Sequence, residues 1–169
     1  LEQRELGNII NRCCKPEIIR ERLLQTIEGT TMSTQQNIDS VTLGNSTAET
    51  LANIRVLLVD DNAINLKLAQ TFLEKNHIQV NTAEDGEQAV EIAKSQAFDL
   101  ILMDLHMQKI DGFVATEAIR SSTGPCKDSI IVALTANAMK EEQLRIYSCG
   151  MNDILLKPVS EQQLMNTLN

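Results

Sequence analysis

Leu100-Ile101-Leu102-Met103-Asp104 decides how this chain is read: an unbroken apolar run that ends in a carboxylate. A short continuous apolar run bounded by polar residues has the pattern of a strand buried on both faces. Other runs repeat the design. Val56-Leu57-Leu58-Val59 leads into Asp60-Asp61, Ile130-Ile131-Val132-Ala133-Leu134 into Thr135, and Ile154-Leu155-Leu156 into Lys157. The stretches between them have helical patterning. Strands alternating with helices imply right-handed crossovers and a parallel sheet, so the C-terminal strand ends all lie on one edge. Sheets of this kind bind ligands at that edge. Asp60, Asp61, Asp104, Thr135 and Lys157 are therefore expected to converge there.

Strands are placed near 54–59, 78–82, 98–103, 129–134 and 153–156, and helices near 63–76, 85–95, 112–121, 138–148 and 160–168. Asp61-Asn62 supplies good capping types for the first of these helices, whose Leu68, Ala69 and Phe72 are read as its apolar stripe. Ile64 and Leu66 flank that stripe and are read as a docking surface, against partial burial at a helix margin. Asp85-Gly86 and Asp111-Gly112 mark turns before later helices. Residues 53–169 are thus one α/β domain. Residues 1–28 are read as a helical segment, with Ile19, Leu23, Leu24 and Ile27 on one side. Residues 29–52, rich in Ser, Thr, Asn and Gln, are read as a flexible polar linker. Cys14-Lys15-Pro16 echoes Leu156-Lys157-Pro158, which makes 1–28 a candidate tail of a preceding copy of the same fold.

The 169 residues carry a net charge of −8, against a nucleic-acid-binding surface, which needs clustered Lys and Arg. No apolar run is long enough to span a bilayer. Cys13, Cys14, Cys126 and Cys149 form no CxxC pair, and His77 and His106 lie far from them in sequence, so free thiols in a reducing cytoplasm fit better than zinc. The opening Leu1-Glu2-Gln3-Arg4-Glu5 has neither an initiator Met nor a secretory signal, and a fragment of a larger protein is expected.

Carboxylates crowded on one sheet edge raise one another's pKa unless a cation neutralises them. Mg²⁺ suits the task, being a hard ion that takes one or two carboxylates, waters and phosphate oxygens. Lys157 adds a fixed positive charge. A carboxylate facing the open coordination position can act as a nucleophile on phosphorus, with the cations stabilising the phosphoryl oxygens in flight.

Taken together, Asp60-Asp61-Asn62-Ala63-Ile64-Asn65, Met103-Asp104-Leu105-His106-Met107, Asp111-Gly112, Leu134-Thr135-Ala136 and Lys157-Pro158 resemble the receiver domain of two-component signalling. The opening motif looks most like receivers carried on hybrid sensor histidine kinases. The resemblance implies a doubly wound parallel sheet of order 2-1-3-4-5 with helices on both faces. It implies Asp104 as phosphoacceptor, with Asp60, Asp61, Asp104 and the backbone carbonyl of His106 holding Mg²⁺. Thr135 would turn its hydroxyl to the phosphoryl group, and Lys157 would pair with that group, across a cis bond to Pro158. A histidine kinase domain would be the phosphodonor and a histidine-phosphotransfer domain the acceptor. Neither nucleic acid nor membrane would contact this segment, whatever anchors the parent chain in the inner membrane.

Two departures from the family pattern bear on mechanism. Gln108 stands where a proline is usual, which predicts a looser phosphoacceptor loop. Ile154 stands where many receivers carry Tyr or Phe, so no aromatic rotamer can follow Thr135; a relay intermediate with little conformational output is expected. His106 and Asn137 flank the expected position of an attacking water. The rival readings are a phosphohydrolase, whose second Asp should follow the nucleophile by two residues, and a non-phosphorylated interaction module on the same fold.

Overall fold

A computed structural model describes residues 54–168; the readings made for 1–28 and 29–52 lie outside them. Strands β1 (Arg55–Val59), β2 (Gln79–Ala83), β3 (Leu100–Asp104), β4 (Ile130–Thr135) and β5 (Asp153–Leu156) alternate with helices α1 (Ala63–Lys75), α2 (Gly86–Ser95), α3 (Gly112–Ser121), α4 (Lys140–Ser148) and α5 (Glu161–Leu168). All strand pairs are parallel, and the order is β2-β1-β3-β4-β5, the doubly wound sheet the sequence implies.

The central strands are buried along their length because alternate residues face opposite layers. Leu57, Val59, Ile101, Met103, Ile131 and Ala133 pack with Ala89 and Ala93 of α2, Phe113, Ala115 and Ile119 of α3, and Ile146 of α4. Val56, Leu58, Leu100, Leu102, Val132 and Leu134 pack on the other face with Leu66, Ala69 and Leu73 of α1 and Leu164 and Leu168 of α5. Each fully buried aliphatic side chain contributes roughly 1.5–3 kcal/mol, so these two layers fix the strand order and every strand end. Helix starts are equally local. The Asn62 side chain accepts from the amides of Ile64 and Asn65, Asp85 from that of Gln88, and Asp111 from that of Val114.

The structure corrects the reading of α1. Leu66, not Leu68, belongs to the buried stripe, together with Ala69 and Leu73. Those three positions repeat at i, i+3 and i+7, the spacing of one helical face; Leu68 sits two residues from Leu66 and turns outward, 47% exposed. β5 also differs from a fully buried strand. It is an edge, half-buried from Asp153 to Leu155 and exposed at Leu156, because among the described residues no strand covers its far side.

Asp153 opens that edge strand, and burial pushes its carboxyl pKa up, with the amide of Ile154 opposing at 2.8 Å from its Oδ1. A carboxyl raised on folding stabilises the fold only below its unfolded pKa of about 4, and that contribution is lost as pH rises through the folded value. Asp153→Asn, whose amide oxygen still accepts from Ile154, is expected to raise the unfolding temperature at pH 7 by a few degrees. The gain should vanish when the melts are repeated below the ordinary carboxylate range.

Candidate acidic site at the sheet edge

Each functional side chain sits at a strand end or within two residues of it, held there by backbone bonds that continue the sheet. The Asp60 amide donates to Ala83 O at 3.2 Å, the Leu105 amide to Leu134 O at 3.2 Å, and the Lys157 amide to Thr135 O at 2.8 Å. β1 lies where the strand order reverses, between β2 and β3, and such a switch point leaves a crevice beyond the strand ends. Asp60, Asp61 and Asp104 meet there, each offering a carboxylate oxygen within 4.8 Å of the others. Asp60 and Asp104 are almost wholly buried at 2% and 4% exposure, whereas Asp61 is exposed.

Lys157 arrives from β5 and binds both buried acids, with Nζ 2.6 Å from Asp60 Oδ2 and 2.7 Å from Asp104 Oδ2. The bond preceding Pro158 is cis, as the resemblance implies. Other donors fix the remaining oxygens. Asp60 Oδ1 accepts from the Asn62 amide at 2.9 Å and from Asn65 Nδ2 at 3.2 Å, while Asp104 Oδ1 accepts from the His106 amide at 3.2 Å. Burial holds the Asp104 carboxyl above its usual pKa even against the Lys157 hydrogen bond, and the charge of Asp60 adds to the rise. Burial works the other way on Lys157, but hydrogen bonds and charge from Asp104 and Asp60 outweigh it and leave the ammonium above its usual value. One cation thus serves a group of three carboxylates. A second cation, hard and oxygen-seeking, fits this donor set.

Thr135 ends β4 and is fully buried, on the same edge as expected. Its hydroxyl is turned to the Asn137 carbonyl at 2.8 Å and to Glu142 Oε2 at 3.3 Å, and its oxygen accepts from the Asn137 amide at 3.2 Å. His106 is 71% exposed at its side chain and lies 3.7 Å from Glu142, so it does not fill a gap in the core. Ile154, in the place of an aromatic, is half-buried against the core layer that contains Ala133 and Ile146.

The sequence reading missed two participants. Asn65, in the first turn of α1, orients Asp60; it belongs to the quoted opening motif, which was the available signal. Glu142 had none, since it lies seven residues beyond Thr135 in another element. The loop carrying Gln108 is pinned one residue later. Lys109 takes a left-handed φ of 65° and its Nζ reaches Asp85 Oδ2 at 2.7 Å. The Gln88 amide and Lys109 together hold the Asp85 carboxyl below its usual pKa.

Comparison with known proteins places this geometry. Residues 56–169 match the family described as the response regulator receiver domain. Sensor protein GacS of Pseudomonas syringae pv. syringae is 49% identical over 112 residues, covering 65% of this chain and 12% of that protein. Signal transduction histidine-protein kinase BarA of Escherichia coli (strain K12) is 40% identical over 122 residues, 72% of this chain and 13% of the other. The chain therefore spans about an eighth of these relatives' length. Among solved structures, the receiver domain of sensor histidine kinase PA1611 from Pseudomonas aeruginosa PAO1 has a magnesium ion coordinated in its active-site cleft. It superposes with a TM-score of 0.63 at 36% identity, covering 68% of this chain and 93% of that one. The receiver domain of Ssk1 from Saccharomyces cerevisiae, crystallised with the histidine phosphotransfer protein Ypd1, gives 0.61 at 35% identity, covering 66% and 83%.

Gly112 holds the site from behind. A Cβ there would stand 2.2 Å from the Asp104 carbonyl oxygen and 3.0 Å from Leu105 Cα, both backbone atoms that no side-chain rotation can clear. The turn read from Asp111-Gly112 is thus also a close approach of α3 to the acidic residue itself. Gly112→Ala is expected to cost about 2 kcal/mol or more in urea unfolding, as backbone displacement in a packed region does.

Proposed function

This chain belongs to the response regulator receiver domain family, and on that premise we propose that Asp104 is a phosphoacceptor working as a middle step of a phosphorelay. The observation that carries the proposal is the placement of the Asp104 carboxylate: buried, 2.7 Å from Lys157, and within 4.8 Å of ligand oxygens on Asp60 and Asp61. In this reading an Asp104 oxygen attacks the phosphorus of a phosphohistidine. The phosphorus–nitrogen bond breaks, and the imidazole leaves with its electron pair. Asp60, Asp61, Asp104 and the carbonyl of His106 are the groups proposed to hold Mg²⁺. When bound, the ion neutralises the crowded carboxylates and shields charge on the phosphoryl oxygens. Lys157 supplies the charge that stays fixed throughout, and Thr135 turns its hydroxyl from Asn137 to a phosphoryl oxygen.

A kinase histidine in a parent hybrid kinase is the proposed donor and a histidine-phosphotransfer domain the proposed acceptor. Support comes from α1, where Ile64 is 77% and Leu68 47% exposed beside a cavity of about 260 Å³. Leu58, Leu68, Ala69, Leu134 and Val159 form its apolar wall, and it shares Asp60 and Lys157 with the acidic site. An apolar docking patch that adjoins the acidic site through Asp60 and Lys157 suits transfer between two proteins. The proposed compartment is the cytoplasm, consistent with free, buried Cys126 and Cys149. Among the described residues no helix is long and apolar enough to cross a membrane.

Mass spectrometry after treatment with acetyl phosphate and Mg²⁺ tests the phosphoacceptor. The native chain should gain one phosphoryl group, and Asp104→Asn, or the native chain with excess chelator, should gain none. Labelling that persists in Asp104→Asn would sink the assignment, and no labelling at all would favour the non-phosphorylated interaction module. For the docking patch, Ile64→Glu should slow transfer to a purified histidine-phosphotransfer protein about tenfold more than it slows labelling from acetyl phosphate. Equal effects on the two rates would remove α1 from the interface.

A further inference from the structure

Glu142 sits in the first turn of α4 and joins that helix to two loops of the acidic site. Its Oε2 accepts from Thr135 Oγ1 at 3.3 Å, and its Oε1 lies 3.7 Å from Nε2 of His106. The Glu142 side chain is only 19% exposed, against 71% for His106, so the carboxylate is the inner member of that pair. Thr135 has a single hydroxyl proton. Asn137 O at 2.8 Å and Glu142 now share it, and a phosphoryl oxygen on Asp104 that takes this hydrogen bond must take it from them.

The rest of α4 is lightly held. Its N-cap residue, Met139, makes no side-chain capping bond, and Ile146 is the residue it buries. Arg145 adds partly exposed contacts to α3, 3.8 Å from Asp111 and 3.9 Å from the centre of the Phe113 ring. An element with so few buried contacts belongs to the less stable part of a fold, where a single hydrogen bond can shift its position. Ile154, meanwhile, cannot carry the movement of Thr135 by an aromatic rotation.

We propose that Glu142 is a positioning residue: its carboxylate latches the Thr135 hydroxyl and His106 in the unphosphorylated arrangement, and its release hands the phosphorylation state to α4. The latch rests on the assignment of Asp104 as phosphoacceptor. An arriving phosphoryl dianion removes the shared hydrogen bond and repels the carboxylate, two effects in the same direction. By linkage, a contact made only in the unphosphorylated arrangement must weaken binding of the phosphoryl group.

Beryllofluoride with Mg²⁺, a non-covalent mimic of a phosphoryl group on a carboxylate, is the probe, titrated calorimetrically into the full chain. Glu142→Ala should bind it about fivefold more tightly than the native chain, the scale of one exchanged hydrogen bond. The nearly isosteric Glu142→Gln, which keeps an acceptor, should gain about twofold, and covers the case in which the alanine variant folds poorly. In a Thr135→Ala background the gain should fall to the small part that charge repulsion alone supplies, less than about twofold. Glu141→Gln removes the same charge from the same helical turn and should change affinity less than about twofold. Unaltered affinity in both Glu142 variants would overturn the latch. So would a gain that survives undiminished without the Thr135 hydroxyl, or one that Glu141→Gln reproduces in full. If the native chain itself binds no beryllofluoride, the phosphoacceptor reading falls and the latch with it.

Discussion

Lys157 is the constraint around which the sheet edge is arranged. Two almost fully buried carboxylates, Asp60 and Asp104, share its one ammonium at 2.6 and 2.7 Å. Two unit negative charges a few ångströms apart repel by on the order of 3 kcal/mol at an effective dielectric near 20. The lysine offsets one of those two charges, and exposed Asp61 adds a further negative charge to the group. That residual negative charge on clustered oxygens suits the site to a hard divalent cation.

The distance in sequence between these partners shows what the fold contributes. Lys157 and Asp60 are 97 residues apart, yet neither has much freedom. The Lys157 amide is bound to Thr135 O, which ties it to the end of β4. Asp60 is bound to Ala83 O through its own amide and to Asn62 and Asn65 through its carboxylate. The two apolar layers set the relative height of β1, β3, β4 and β5. Those heights place the end groups within hydrogen-bonding range before any ligand arrives. Preorganisation of this kind is what electrostatic catalysis of phosphoryl transfer needs.

Thr135 links a central strand of the sheet to a helix at its surface. Its backbone belongs to the rigid β4, whereas its hydroxyl is held by Asn137 and by Glu142 from the lightly packed α4. With isoleucine at 154, no aromatic rotation can follow this threonine, and its contact to Glu142 is a direct side-chain connection to α4. The loop that follows Asp104 has a contact that stiffens it. Lys109 anchors to Asp85 what Gln108 does not stiffen.

The residues by themselves determined the alternation of strands and helices, the parallel sheet and the identity of the acidic, hydroxyl and ammonium groups at its edge, while the strand order came from the family resemblance. They could do so because a buried parallel strand must be an unbroken apolar run, and because a reactive side chain directly after such a run has one place to go. The cap at Asn62 was equally legible, and the turns read at Asp85 and Asp111 prove to cap the helices they precede, since capping is decided within a few residues. The tertiary structure alone decided which apolar residues of α1 face inward, reversing the reading of Leu66 and Leu68, because that depends on where α1 lies against the sheet. It alone brought Glu142 to Thr135 and His106, and Gly112 against the carbonyl of Asp104. Contacts between separate elements follow from packing angles, and no local pattern of residue types records those.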